Sequence, residues 1–152
     1  MCPLLGYSYA RFFGTPVSER IEPFAWERQT AIMGEGAVFM LLTRDKGNSQ
    51  HYGFIEDLCW AQTRDVRIPN DYALVFGSDG HACCAGAYRR FSEHRSARTA
   101  YAPIYGSLPG GQAFDVAIAA LAAQARSGSD QICSVKCNKH ESCGVVTCCF
   151  DI

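Results

Sequence analysis

The tail of the chain concentrates side chains that can do chemistry. The segment CSVKCNKHESCGVVTCC, residues 133–149, holds five cysteines and one histidine. Sulfur and imidazole nitrogen are the ligands that zinc prefers in tetrahedral sites, so Cys133, Cys137, His140 and Cys143 form a candidate metal set. Their spacing differs from zinc fingers and ribbons, in which closely spaced ligand pairs are separated by a longer segment. Zinc is the one cofactor that the sequence suggests, and a zinc-stabilised interaction module is one candidate function.

Three other uses of the same sulfurs compete with metal binding. Cys137 and Cys143 flank a short loop, and Cys133 can face Cys148 across a hairpin, which would suit disulfides. Neighbouring lysines and His140 can lower the pKa of a thiol and make it reactive. Unpaired cysteines also pack as small core hydrophobes, and the valines and isoleucine around them favour a strand. We expect this packing role, and no bound metal.

A second group, GSDGHACC at residues 77–84, brings together the residue types of a cysteine hydrolase. On a strand, His81 and Cys83 would share one face with Cβ atoms ~6–7 Å apart. Asp79 lies in a predicted turn, where its common role is to bond the backbone. A structural hairpin is the preferred interpretation. Cys83 and His81 are the catalytic candidates of the alternative, a cysteine-dependent enzyme.

Two further groups suggest ligand binding. The segment YRRFSEHRSAR, residues 88–98, places Arg89 and Arg90 beside aromatic residues, and arginine binds anions through strong charge-assisted hydrogen bonds. Tyr52, Phe54 and Trp60 can line an apolar pocket between a sheet and a helix. The sequence therefore predicts a small apolar or anionic ligand, although all these residues can also serve the core or a solvated helix face.

The composition limits the class of protein. The chain has 152 residues, a net charge of −1 and 48% hydrophobic residues, which suits a single folded domain over 1–152. A near-neutral chain is not a general nucleic-acid binder, and its apolar runs are too short to span a membrane. The first residues do not resemble an export signal, so we expect a cytoplasmic protein whose nine cysteines stay reduced.

Periodicity and turn residues predict the elements that must position these groups. Strand 72–77 should form a hairpin with strand 81–91 through a Ser-Asp-Gly turn, and strand 37–44 should pair with 51–61. Within 51–61, a bend or the start of a helix is expected near Glu56–Asp57. The tail should form a last hairpin, with strands QICSVKC and GVVTCCF. The predicted helices are 23–33, 92–101 and 112–126.

Helix 112–126 is apolar on two sides. Phe114, Ile118 and Leu121 lie on one stripe, and small alanines and a valine occupy the other side. Such a helix is either sandwiched within its own domain or pressed against a partner. Together with an aromatic arm at 1–21, it favours a homodimer.

The expected fold is α+β, with a single antiparallel sheet of about five or six strands and two or three helices packed mainly on one face. The expected function is that of a non-enzymatic domain that binds a small molecule or a protein.

Overall fold

A computed structural model of the chain describes residues 18–44, 52–93, 97–108, 110–125 and 131–150. Most of the predicted aromatic arm, and the loop between the predicted strands 37–44 and 51–61, therefore lie outside the described residues. One five-stranded sheet organises the described chain, in the order β1-β5-β4-β2-β3. The strands are β1 (Phe54–Gln62), β2 (Ala73–Phe76), β3 (Arg98–Thr99), β4 (Ile132–Cys137) and β5 (Ser142–Cys149).

The sheet is mixed, which corrects the prediction of an antiparallel sheet. β5 runs antiparallel to both β1 and β4, whereas β2 runs parallel to β4 and to β3. The predicted hairpin after β2 does not form, because Gly80 turns the chain with a φ of +86° and the following residues are helical. When a helix follows a strand, the chain can cross back over the sheet, and the next strand can then run parallel to the first.

The described helices are α1 (Ala85–Ser92), α2 (Ala102–Tyr105) and α3 (Gly111–Ala125), and a 3₁₀ turn, Ala82–Cys84, precedes α1. They pack on both faces of the sheet, so the prediction that they lie mainly on one face is wrong. The side chains of β2 alternate between these faces. Leu74 and Phe76 contact the core under α1, and Val75 contacts the core under α3.

The predicted helix at 112–126 and the tail hairpin are confirmed as α3 and as β4–β5. The small side of α3 packs on the sheet through Val116, Ala119 and Ala123. Its larger residues, Phe114 and Ile118, pack instead against the cluster around Ile21, Ala102 and Tyr105. Both apolar sides of α3 therefore pack within its own domain, one of the two arrangements that the sequence allows, although Leu121 of the predicted stripe is 49% exposed.

The predictions of helices at 23–33 and 92–101 are wrong. Residues 23–33 form turns instead of a helix. The backbone N–H groups of Thr30 and Ala31 donate hydrogen bonds to the carbonyl oxygen of Gly80, a residue distant in sequence. Ser92 ends α1 instead of capping a new helix, and β3 follows. Among the described residues, 37–44 are not in a strand, and β1 pairs with β5 instead. The bend predicted near Glu56 is present as a register shift between Ile55 and Asp57.

Candidate functional site

The candidate metal set of the tail is not gathered around one point. Cys137 and Cys143, directly opposite on β4 and β5, form a disulfide. Cys133 lies further down β4, opposite Thr147, and His140 lies exposed in the turn. Within the described ranges, no group of three or more histidines, cysteines or carboxylates could hold a metal ion. The residues present therefore do not fit a zinc site.

The packing role predicted for the tail cysteines holds for two of them. Cys133 and Cys148 are buried and unbridged, and burial raises the pKa of the Cys148 thiol to about 11. They do not face each other, because Cys148 lies opposite Ile132. For Cys137 and Cys143 the prediction of unpaired thiols is wrong, because their hairpin register brings the two residues together.

The candidate catalytic pair is directed to other partners. The imidazole of His81 lies 3.1 Å from the amide of Gln29 through Nδ1 and 2.9 Å from the hydroxyl of Ser107 through Nε2. Cys83 is exposed, and its sulfur lies 3.8 Å from that of Cys84. Burial, followed by the neighbouring Cys83, raises the pKa of Cys84 to about 12, which disfavours a thiolate there.

The arginines of the predicted anion site point to different places. Arg89 forms an ion pair with Glu27. Arg90 donates to the carbonyl oxygen of Arg64 at 3.1 Å and lines a cleft of about 380 Å³ that also contains Glu93. The two guanidinium groups therefore do not converge, and a carboxylate shares the cleft with Arg90.

A buried polar network lies at the carboxyl ends of β2 and β4. We call it the Asp79 cluster, and it consists of Asp79, His81, Ser107, Asp115 and Lys136. The Lys136 ammonium donates to Asp79 Oδ2 at 2.9 Å and to the Gly77 carbonyl oxygen at 2.7 Å. A Cβ atom on Gly77 would lie 2.5 Å from Lys136 Cδ and 2.8 Å from Asp115 Oδ2. The absence of a side chain at Gly77 thus lets the side chains of Lys136 and Asp115 both lie close to the backbone of Gly77.

The hydrogen-bond directions in this cluster follow from Gln29. Its Oε1 accepts the N–H of Ala82 at 2.9 Å, so its Nε2 is the atom that donates to His81 Nδ1. His81 then carries its proton on Nε2 and donates to the oxygen of Ser107. The Ser107 hydroxyl in turn donates to Asp79 Oδ2 at 2.9 Å. Each group in this chain of hydrogen bonds therefore donates towards Asp79. Since His81 donates to Ser107, it is not placed to deprotonate that hydroxyl.

Charge and burial shift the pKa values of the two carboxyl groups of the cluster in opposite directions. Burial tends to raise the pKa of Asp79, but Lys136, His81 and Ser107 together lower it below its usual value. Asp115 is fully buried; its Oδ1 accepts the Tyr105 hydroxyl at 2.5 Å, and its Oδ2 has no hydrogen-bond partner in the described part of the chain. Burial raises the pKa of Asp115 to about 7. Burial is also the main cause that lowers the pKa of His81.

An apolar groove lies at the β1 edge of the sheet, between β1 and α3. We call it the β1 groove; its volume is about 340 Å³ and its main walls are Met40, Ile55, Leu58, Trp60, Gln112, Val116 and Gly144. It exists because α3 packs over β2, β4 and β5 without reaching across β1. Leu58 lies opposite Val146 and Trp60 opposite Gly144, so both face the same side as α3.

The aromatic residues predicted to bind a ligand do not lie together, because the register of β1 shifts between Ile55 and Asp57. Trp60 lines the groove, and its ring covers Gly144, where a Cβ atom would lie 3.1 Å from Trp60 Cε3. Phe54 pairs with Cys149 and therefore lies on the other face of the sheet from Leu58 and Trp60. Tyr52 precedes the strand and is exposed. Sequence alternation placed Leu58 and Trp60 on one face. It did not predict that Ile55 and Met40 line the same groove, because this depends on the register shift in β1 and on how residue 40 packs against the sheet.

The side chains of this region are unusually exposed for their type. Leu58 is 69% and Trp60 65% exposed, and beyond Met40 the neighbouring Phe39 and Leu41 reach 93% and 92%. Single exposed hydrophobic residues are ordinary, but a connected group of them marks an interaction surface. The apolar surface of β1 and residues 39–41 is therefore the strongest candidate site for binding.

No protein-family model, curated protein or solved structure matches this chain. None of the described helices is both long and apolar enough to cross a membrane.

Proposed function

We propose that this chain is a non-enzymatic binding domain that takes up an apolar surface of a partner protein in the β1 groove. The observation that carries the proposal is the exposure of Leu58 and Trp60 beside a groove whose floor is also apolar. Burying a large apolar side chain is favourable by about 1.5–3 kcal/mol. Two such side chains in one groove therefore offer a substantial part of the free energy of a specific contact.

A partner protein fits this surface better than a small molecule does. Pockets for small ligands are concave and cover most of the ligand. Here the apolar surface continues outside the groove to Phe39 and Leu41, which are almost entirely exposed. Apolar side chains that lie exposed beyond a groove are suited to contact with another protein, because the buried centre of a protein interface is also apolar. A small apolar ligand in the groove is the alternative within the same class.

The polar side chains support a role in binding rather than in catalysis. A catalytic base must reach the proton that it removes, and a nucleophile needs a base beside it. The imidazole of His81 donates towards Ser107, and the Ser107 hydroxyl is held by Asp79. The rival function, a cysteine-dependent enzyme, has its exposed thiol at Cys83 and its imidazole directed to Gln29 and Ser107.

The proposal is tested with 8-anilinonaphthalene-1-sulfonate, an apolar dye that becomes fluorescent when it leaves water. We expect Leu58→Ser to weaken dye binding at least fivefold, because this residue forms one wall of the groove. Ile104→Ser is the matched control, since Ile104 is also highly exposed but lies on α2. Equal dye affinity in the two variants would contradict the proposal.

Two further measurements separate the alternatives. A stoichiometric small molecule seen in the native mass spectrum of the purified protein, and lost in Leu58→Ser, would favour the small-ligand alternative. A single cysteine that reacts quickly with iodoacetamide near neutral pH, mapped to Cys83, would favour the enzyme. The binding proposal expects neither result.

A further inference from the structure

The cleft of about 380 Å³ that Arg90 lines lies between the end of α1 and the loop that joins β1 to β2. We call it the Arg90 cleft, and its volume is that of a small-molecule site. Part of its lining is apolar, since Val66 and Phe91 are each 6% exposed and belong to the core under α1. Its exposed polar lining consists of Arg67, Asn70, Arg90 and Glu93. The cleft thus offers a ligand an apolar wall beside charged groups.

Two arginines of the Arg90 cleft meet at one backbone oxygen. Arg67 Nη1 donates to the carbonyl oxygen of Arg64 at 2.6 Å, and Arg90 Nη2 donates to the same oxygen at 3.1 Å. Arg67 Nη1 also donates to the carbonyl oxygen of Val66 at 3.0 Å. Their guanidinium groups are therefore held close to each other, although Arg67 lies in the loop after β1 and Arg90 lies on α1.

These two positive charges have no carboxylate partner in the described part of the chain. No ion pair there involves Arg67 or Arg90, whereas the neighbouring Arg89 pairs with Glu27. Glu93 lines the same cleft, but its carboxylate pairs with neither arginine. A guanidinium group has five N–H donors. Within the described residues, Arg67 uses only Nη1 and Arg90 uses only Nη2, so the other nitrogens can bind a ligand.

From this geometry we infer that the Arg90 cleft binds a small organic carboxylate. The carboxylate oxygens bridge Arg67 and Arg90, and the apolar part of the ligand contacts Val66 and Phe91. Like charges held together repel, and a shared anion removes this repulsion through charge-assisted hydrogen bonds. The inference goes beyond the proposed function, because it uses no residue of the β1 groove.

The charges of the cleft favour a carboxylate over a phosphate. Arg67, Arg90 and Glu93 together leave one net positive charge, which a single carboxylate balances and a phosphate dianion exceeds. The whole chain has a net charge of −1, so this positive charge is local and does not extend into a surface suited to nucleic acid. The ligand is therefore a small monoanion.

Benzoate is a suitable probe, since it joins one carboxylate to a small apolar ring. Its affinity is measured by titration calorimetry, and its position by the chemical shifts of backbone amides. We expect shifts in the loop after β1 and at the end of α1, and unchanged affinity in Leu58→Ser. Benzamide, which has nearly the same shape without the charge, should bind at least tenfold more weakly. Shifts confined to the β1 groove, or tighter binding of phenyl phosphate than of benzoate, would overturn the inference.

Substitution of the arginines tests the two groups that bind the anion. Both are exposed, and Arg67→Gln and Arg90→Gln should each weaken benzoate binding about tenfold, because each removes charge-assisted hydrogen bonds. Arg89→Gln is the matched control on α1 and should change the affinity less than twofold. Glu93→Gln should strengthen binding, since it removes a like charge. A parent that does not bind benzoate, or an equal loss in Arg89→Gln and Arg90→Gln, overturns the inference.

Discussion

The Asp79 cluster and the β1 groove reverse the usual arrangement of polar and apolar side chains. Asp79, Ser107 and Asp115 are buried between loops and α3, and most of their hydrogen-bonding atoms are engaged within the chain. Leu58 and Trp60 lie on the surface, although their side chains are of the type that normally forms a core. Reactive groups are thus used for internal bonding, and apolar groups are left for external contact.

This difference indicates what each region contributes. The cluster joins separate parts of the chain, because Lys136 on β4 bonds the loop after β2, and Ser107 before α3 bonds the same carboxylate. Its removal should therefore cost stability. The groove contributes little to stability while it is exposed, so its removal should affect association alone. The following variants test this division, from the largest expected effect to the smallest.

Lys136→Met should produce the largest loss of stability. The ammonium and Asp79 are both mostly buried, and removing one partner leaves a buried carboxylate without its counter-charge. We expect the free energy of unfolding, measured with urea, to fall by about 3–5 kcal/mol. Lys139→Met, in the exposed turn between β4 and β5, is the control and should change it by less than about 0.5 kcal/mol. If the free energy of unfolding changes by a similarly small amount in both variants, the cluster does not have the structural role that we assign to it.

Asp115→Asn should change the pH dependence of stability. The pKa of Asp115 is raised from 3.8 to about 7 in the folded protein, so between these values the folded state binds more protons than the unfolded state. Stability from this group therefore falls as the pH rises from about 4 to 7 and stays low above 7. The asparagine keeps an acceptor for Tyr105 and does not ionise, so the variant should gain on the order of 4 kcal/mol relative to the parent over that range.

The comparison in this experiment is between urea unfolding of variant and parent at each pH, so that other titrating groups largely cancel. His81 acts in the opposite direction, because a lowered pKa in the folded state means that stability is lost as the pH falls below about 6.5. An Asp115→Asn difference that stays constant with pH would show that Asp115 ionises normally.

The disulfide should have a smaller effect. Cys137 and Cys143 are six positions apart in the sequence, and closing so short a loop is expected to contribute about 2 kcal/mol. Dithiothreitol should therefore lower the melting temperature of the parent, but should leave that of Cys137→Ala/Cys143→Ala unchanged. If dithiothreitol leaves the melting temperature of the parent unchanged, the disulfide does not stabilise the fold.

Leu58→Ser should have the smallest effect on stability. Because the side chain is 69% exposed, we expect the free energy of unfolding to change by less than about 1 kcal/mol in dilute protein. A loss of several kcal/mol would mean that Leu58 belongs to the core, and the contrast between cluster and groove would disappear.

The sequence predicted the elements whose patterns are local. The stripe of α3 and the alternation of the tail were sufficient, since both are read along a continuous segment. It missed α1, although Cys84, Ala87, Tyr88 and Phe91 follow helical spacing, because a turn before this segment suggested a hairpin. The sequence also indicated Cys137 and Cys143 as neighbours of a loop, but compartment arguments favoured free thiols.

The candidate sites were harder to predict than the fold. Asp79 and Lys136 are 57 residues apart in sequence, and nothing local indicates that they meet. Leu58 and Trp60 were placed on one face, but their exposure depends on how far α3 extends across the sheet. Such features are decided by the packing of separate elements, which periodicity does not describe.

Amide hydrogen exchange tests most directly whether the β1 groove is the surface through which this protein binds. Exchange is followed residue by residue without and with 8-anilinonaphthalene-1-sulfonate. We predict that amides within Leu58–Gln62 become better protected when the dye is added, while those of Thr30, Ala31 and Lys136, which belong to or adjoin the Asp79 cluster, stay equally protected throughout. Unchanged exchange in β1, with protection appearing at another surface, would contradict this account.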